Sequence, residues 1–257
     1  MPPRPARGTR LQAEAPAKTT LRALLAHNAP RLGLTPPAIE EVVRQSQITY
    51  WRAGQQLFAQ GDAHDLASFL VAGAVRVMCQ GHGDLPVAVQ LVRPGHFFGL
   101  ASLFDPPGPR LFGAIAHVDA VVAVLSQDTL LKILSTLPPG RALQLMAYSW
   151  RVLSRLLYEK CLQLTMPLQE RVLHELAALA HDFGRPHPDG VLIDLPLSQA
   201  DLAEMVVGSR AKVNRCLSAL RAAGQVTMAG RRIVCTRRFP VRLDGRVVVG
   251  RRRGAEG

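Results

Sequence analysis

The chain has 257 residues, of which 48% are hydrophobic and 19% charged, with a net charge of +12 and four cysteines. That length exceeds one typical domain and supplies enough apolar material for two cores. No run of about 18 apolar residues exists to span a membrane, and the opening MPPRPARGTRLQAEAPAKTT has no apolar stretch of the kind a secretory signal needs.

Cys79, Cys161, Cys216 and Cys235 are scattered, with no CxxC and no paired histidine spacing, so no metal or cluster is expected and reduced thiols are the natural account. The charge is segregated. Residues 1–20 carry four Lys/Arg against one acid, residues 21–195 balance fourteen against fourteen, and residues 196–257 carry thirteen against four. A neutral body joined to a basic end points to nucleic acid bound through the C-terminal part.

Residues 1–20 are expected to be a disordered basic tail. Leu21, Leu24 and Leu25, then Ile39, Val42 and Val43, mark short amphipathic helices around Pro36-Pro37. From Ile48 to about Leu125 the texture becomes short apolar runs punctuated by glycine, such as FLVAGAVRVM, VAVQLV and AVVAVL. These runs read as a β-sandwich or roll, with no βαβ alternation that would suggest a dinucleotide fold.

Helical spacing returns at Gln127, and a long helix is expected from about Arg141 to Thr165, ended by Met166-Pro167. It carries two apolar stripes. Leu145, Val152 and Leu156, with Ser149 between them, form one, and Met146, Trp150, Leu153, Leu157 and Leu164 form the other. One stripe can cover the roll, which leaves the other for a second copy of the helix.

Leu168 to Phe183 reads as another amphipathic helix, and HPDG (His187 to Gly190) as a turn before a strand from Val191 to Leu195. In LSQADLAEMVVGSRAKVNRCLSALRAAG, Ser198 precedes Asp201 by three residues, as in a capping box. Leu202, Met205 and Val206 keep helical spacing. Gly208 breaks it, Ser209 can cap a second helix, and Val213, Cys216, Leu217 and Leu220 resume the period until Gly224. Two short helices around a tight turn form a helix-turn-helix.

The second helix places Arg210, Lys212, Asn214 and Arg215 on its polar side, where such side chains reach base edges in a major groove. Ser198, Gln199 and Ser209 are expected at phosphates. QVTMAGRRIVCT reads as a hairpin turning at Ala229-Gly230, a wing whose Arg231 and Arg232 would also face phosphates. VRLDGRVVVG suggests a second hairpin, followed by a basic end at 251–253.

This order of glycine-punctuated roll, long helix and winged helix-turn-helix resembles the bacterial regulators of the cyclic-AMP receptor protein / fumarate-nitrate regulator superfamily, over about residues 40–238. WRAGQQLFAQGDAHDLASFLVAGAVRV is similar to the family's opening strands, LVRPGHFFGLASLFDPPGPR to its phosphate-binding cassette, and LSQADLAEMVVGSRAKVNRCLSAL to its DNA-reading unit. The resemblance implies an α+β fold with a cyclic-nucleotide-binding-like β-roll of jelly-roll type over 21–137 and a dimerisation helix over 138–166. A winged helix-turn-helix then covers 167–240, and a basic extension 241–257. It also implies a homodimeric transcription regulator of the bacterial cytoplasm and nucleoid, with operator DNA and RNA polymerase as partners and no enzymatic activity.

In family members that bind cyclic AMP, a Gly-Glu pair is followed ten residues later by Arg and a small hydroxyl residue. Here Gly99 and Arg110 keep that spacing, while Leu100 stands for the Glu and Leu111 for the hydroxyl. The family's adenine-contacting Thr-Ser pair falls on Leu157 and Tyr158. A site that loses such partners loses discrimination, and the orphaned ribose hydroxyl costs about 1–3 kcal/mol. Cyclic AMP binding is therefore expected to be weak or absent. A different small-molecule effector, a cyclic nucleotide such as cyclic GMP or cyclic di-GMP, no effector, or haem on His82, His96 or His117 remain as alternatives.

On the recognition helix Arg210 and Arg215 match the family's two arginines, and Ala211 replaces the Glu between them. The acceptor for cytosine N4 is missing, so the operator should differ at that base pair. Val207 holds the usual glycine position of the turn, and a β-branched residue with positive φ is strained. A turn shifted by one residue is the expected consequence. An enzyme with an incidental basic tail and a nucleoid-like binder of little sequence preference are the rival classes.

Overall fold

The structure is a computed structural model that describes residues 7–63, 66–81, 86–99 and 109–240. It divides into two compact units, Met1–Glu159 and Lys160–Gly257. The boundary falls inside the long helix, instead of at either end of it.

In the first unit, α1 (Arg7–Leu32) and α2 (Pro36–Gln45) precede eight strands: β1 (Gln47–Trp51), β2 (Gln56–Phe58), β3 (Leu66–Ala72), β4 (Val75–Gln80), β5 (Pro86–Val92), β6 (Phe97–Phe98), β7 (Gly113–Ala116) and β8 (Ala120–Ser126). They form two four-stranded antiparallel sheets in the orders β1-β8-β3-β6 and β2-β7-β4-β5. Apart from the β4–β5 hairpin, consecutive strands alternate between the two sheets, which is the jelly roll that the resemblance implied.

The first sheet is covered on both faces. Phe69, Val71, Ala123 and Leu125 pack on α1, α2, α3 (Gln127–Ser135) and the start of α4 (Pro139–Thr165), while Leu70, Val75, Val92, Phe98 and Val122 fill the space between the sheets. Burial on both faces explains why β3 is almost continuously apolar where a half-exposed strand would alternate. Gly73, at φ +87, makes the β3–β4 turn, and a Cβ there would overlap the Asp119 carbonyl oxygen.

The N-terminal expectation is corrected. Residues 7–20 continue the helix that was read as short, and Ala17, Leu21, Leu25 and Leu32 are buried in the helix-covered core. Their spacing of four, four and seven residues puts them on one stripe. Arg22 ties α1 to α2 through a bidentate pair with Glu40, Nε–Oε1 2.6 Å and Nη2–Oε2 2.8 Å.

The two stripes of α4 part as their spacing suggested. Leu145 is buried and Ser149, Val152 and Leu156 are half-buried, whereas Leu143, Met146, Trp150, Leu153 and Leu157 are exposed. The exposed set recurs at intervals of three and four residues, the a/d spacing of a coiled-coil seam.

In the second unit, α5 (Leu168–Phe183), α6 (Gln199–Val206) and α7 (Arg210–Ala222) pack on a four-stranded sheet ordered β11-β12-β10-β9. Its strands are β9 (Gly184–His187), β10 (Gly190–Ile193), β11 (Val226–Ala229) and β12 (Arg232–Thr236). The sequence reading had no β9. GRPH has no apolar alternation, and its pairing with β10 is what makes it a strand. Val172, Leu176, Leu202, Met205, Val213, Leu220 and Ile233 fill the core.

Candidate nucleic-acid interface and effector pocket

Local chemistry sets both helices of the pair. The Ser198 side chain accepts from the Asp201 N–H (3.1 Å), and the Asp201 carboxylate accepts from the Ser198 N–H (2.8 Å), so two backbone donors at the start of α6 are satisfied reciprocally. Ser209 caps α7 by accepting from the Lys212 N–H at 3.3 Å. In each cap the hydroxyl oxygen accepts, which leaves the O–H to donate outward.

Helix α7 has two faces. Val213 and Leu220 are buried and Cys216 and Leu217 half-buried, while Arg210, Lys212, Asn214 and Arg215 are exposed. No acid occupies the first turn of α7, and Arg210 and Lys212 stand there instead. Cations at the positive end of a helix oppose its macrodipole by about 0.3–1 kcal/mol each. That local cost is repaid when a polyanion lies against the helix start. Gln199 of α6 donates from Nε2 to Asn214 Oδ1 at 2.7 Å, so the amides of the two helices form one polar surface.

The turn between the helices corrects the expected shift. Val207 itself takes the left-handed conformation (φ 50, ψ 57) as the C-cap of α6, at the position where the family places glycine. Two contacts from α5 hold it. Arg171 Nη1 donates to the carbonyls of Val206 (2.8 Å) and Val207 (3.2 Å). Gly208 lies so close to Leu168 that a Cβ would meet Leu168 Cδ1 at 2.8 Å. Sequence reasoning missed Arg171. The strained valine was the one signal that something outside the turn had to support it.

The wing forms between β11 and β12, with Ala229 paired to Arg232. Its two-residue loop is therefore Gly230-Arg231, one residue later than expected, with Gly230 at φ +63. The two wing arginines differ in their partners. Arg231 stands exposed in the loop, and Arg232 pairs with Asp194 (Nη1–Oδ1 3.2 Å), whose other oxygen takes Arg185 (2.6 Å). Arg232 is exposed as well, and its guanidinium also ties the wing to Asp194. The expected tail hairpin at 241–250 and the basic end at 251–253 lie outside the described residues.

In the roll, Gly99 and Arg110 do come together, since a Cβ at Gly99 would lie 3.1 Å from Arg110 Nη1. Arg110 is buried at 7% exposure, with its guanidinium 3.9 Å from the Phe58 ring centroid and Nη2 donating to the Leu66 carbonyl at 3.4 Å. Phe58 stacks with Phe98 at 6.2 Å. Backbone bonds lock the arginine in place, Gly61 N–H to Arg110 O and Arg110 N–H to Asp62 O, both 2.8 Å.

Leu111, next in the chain, is 64% exposed. Leu157 and Tyr158 lie on the exposed side of α4, and Leu100 and His82 are outside the described residues. His96 sits in the β5–β6 turn, its Nδ1 3.4 Å from the Pro94 carbonyl, and His117 in the β7–β8 turn. Among the described residues no group of three or more His, Cys, Asp or Glu is placed to hold a metal ion, and no helix is long and apolar enough to cross a membrane.

Comparison with known proteins matches both halves. A family model described as a cyclic nucleotide-binding domain matches residues 48–136, and one described as a Crp-like helix-turn-helix domain matches residues 170–238. The global nitrogen regulator of Synechococcus elongatus is 29% identical over 188 residues, covering 73% of this chain and 84% of that protein. A CRP-like cAMP-activated global transcriptional regulator of Mycobacterium tuberculosis is 25% identical over 206 residues, covering 79% and 89%. Among solved structures, the c-di-GMP responsive global regulator CLP of Xanthomonas campestris has the same fold with a TM-score of 0.67 at 21% identity, over 79% of this chain and 99% of that one. FixK2 from Bradyrhizobium japonicum gives 0.65 at 22%, over 74% and 92%.

Proposed function

The chain belongs to the cyclic-AMP receptor protein / fumarate-nitrate regulator superfamily of transcription regulators, and on that premise we propose that it reads a pseudo-palindromic operator as a homodimer through α7. It is a helix-turn-helix transcription regulator and not an enzyme. The observation that carries the proposal is the exposed set Arg210, Lys212, Asn214 and Arg215 at the start of α7, held there against the helix dipole. Arg210 and Arg215 are suited to guanine O6/N7, and Ser198, Gln199, Ser209, Arg231 and Arg232 to phosphates. The exposed a/d seam of α4 supplies the dimer contact, and the two recognition helices then meet successive major grooves about 34 Å apart. Such a protein works in the bacterial cytoplasm on nucleoid DNA, with RNA polymerase as its downstream partner.

For the roll we propose an effector pocket that has kept its cation and lost the rest of the ribose-phosphate partners. The buried Arg110 beside Gly99 supports an anionic group there, while Leu111 faces out and Leu157 and Tyr158 bring no amide or small hydroxyl. Weak or absent cyclic AMP binding follows. A cyclic-nucleotide-responsive regulator is the second reading, favoured by the name of the mycobacterial relative.

Two experiments decide. Selection from a random duplex pool should enrich one two-fold site with wild type and none with Arg210→Ala/Arg215→Ala. Enrichment unaffected by the double substitution refutes the readout. Calorimetric titration with cyclic AMP, cyclic GMP and cyclic di-GMP, with an absorbance scan for haem, should show no tight cyclic AMP site. A submicromolar cyclic AMP site would make this a nucleotide-gated regulator.

A further inference from the structure

We infer that Arg171 of α5 is the positioning residue for the recognition helix, a role that the helix-turn-helix motif itself does not contain. The inference rests on α7 being the DNA-reading element. The direction of α7 relative to α6 is set by the backbone of Val207 and Gly208, two residues before Arg210. A glycine would hold the left-handed conformation of Val207 by itself, but a β-branched side chain crowds its own carbonyl there and favours leaving.

Arg171 opposes that escape. One nitrogen, Nη1, donates to both carbonyls at the end of α6, Val206 O at 2.8 Å and Val207 O at 3.2 Å, groups that a helix end leaves without intrahelical donors. Charge-assisted donation to the negative end of α6 strengthens both bonds. Arg171 Nε is buried without a hydrogen-bond partner, which marks a side chain placed for what its tip reaches.

The second grip comes from the same helix face. Leu168, three residues earlier on α5, packs against Gly208 closely enough that a Cβ there would have to push the end of the leucine side chain aside. Arginine fixes the carbonyls and leucine fixes the α-carbon that follows. Only Met166 and Pro167 separate α5 from the end of α4. A movement of the start of α5 therefore reaches the α6–α7 turn through these two side chains.

The test uses the full chain and the duplex site enriched by wild type from a random pool, with Kd measured at 150 mM salt for Arg171→Met, Val207→Gly and the double variant. Methionine keeps the apolar stem and removes every donor. Arg171→Met should weaken site binding about tenfold or more, the scale of one lost charge-assisted contact. It should also speed amide exchange over residues 207–212 in the absence of DNA.

Val207→Gly alone should leave affinity near wild type, and in the double variant it should restore most of the lost affinity, because glycine needs no clamp. Unchanged affinity and exchange in Arg171→Met overturns the inference. So does a loss that glycine fails to restore, which assigns Arg171 to general stability. If wild type enriches no site, the DNA-reading premise falls, and the exchange data still decide whether Arg171 holds the turn.

Discussion

Replacing Leu153 and Leu157 by alanine is expected to turn the proposed dimer into monomers at micromolar concentration. The two side chains are 58% and 64% exposed in the single chain, so a second copy laid along the seam covers roughly three-fifths of each. Truncating a fully buried leucine to alanine costs about 2–5 kcal/mol, and three-fifths of a mid-range value is about 2 kcal/mol per site. Two sites on each of two chains give about 8 kcal/mol, an increase of about six orders of magnitude in the dimer Kd at about 1.4 kcal/mol per decade. Alanine is the best helix former, so the helix itself should persist.

Sedimentation equilibrium measures the effect directly. Trp150, 69% exposed on the same seam, should emit at shorter wavelength in the wild-type dimer than in the variant, while Trp51 in the roll keeps its environment. A variant Kd within about tenfold of wild type refutes the seam. So does a wild-type protein that sediments as a monomer.

Other outcomes follow from the second unit. Arg210→Ala and Arg215→Ala should each cost about 1–3 kcal/mol at one base position while sparing binding to unrelated DNA, and competition binding against single-base operator variants checks this. Arg231→Ala should weaken all DNA alike and lower the salt slope by about one, and Arg232→Ala should do the same while also lowering the unfolding midpoint of the unit, since Asp194 loses one partner. Val207→Gly relieves about 1–2 kcal/mol of left-handed strain and adds about 0.5–1 kcal/mol of unfolded-chain entropy, so urea unfolding should show equal or slightly greater stability.

Burial pushes the Cys235 thiol up to about 12. Its folded value lies above the unfolded one, so its contribution is complete below about pH 9 and is lost as pH rises from there towards 12. Iodoacetamide at pH 8 should accordingly reach Cys235 only after the unit unfolds, and early labelling there would contradict the burial.

Much of this protein was legible in local pattern. Glycine-bounded apolar runs are enough for a roll, and a Ser-x-x-Asp start followed by helical spacing is enough for α6, because caps and periodicity act over a few residues. The ten-residue step from the Gly99-Leu100 pair to Arg110, without a gap, located two groups, Gly99 and Arg110, that do meet. Residues 7–20 were misread because their composition is that of a solvated tail. Ala17 belongs to the same buried cluster as Leu21, Leu25 and residues of the sheet, and composition does not record partners. Strand β9 was missed for the same reason, since pairing with β10 and not propensity makes GRPH extended.

The sequence by itself determined the order of elements apart from β9, the two apolar stripes of α4 and the polar face of α7, since each depends on side-chain spacing along one element. Tertiary structure decided which stripe is covered, which wing arginine meets an acid and how the α6–α7 turn is held. Arg232 finds Asp194 38 residues away, and Arg171 finds the carbonyls of Val206 and Val207, 35 and 36 residues away. A charged side chain takes whichever partner the fold brings within 4 Å, and distance along the chain carries no information about that. The left-handed valine shows the boundary between the two. Local sterics set its strain, and contacts from another helix, a guanidinium foremost, hold it in place.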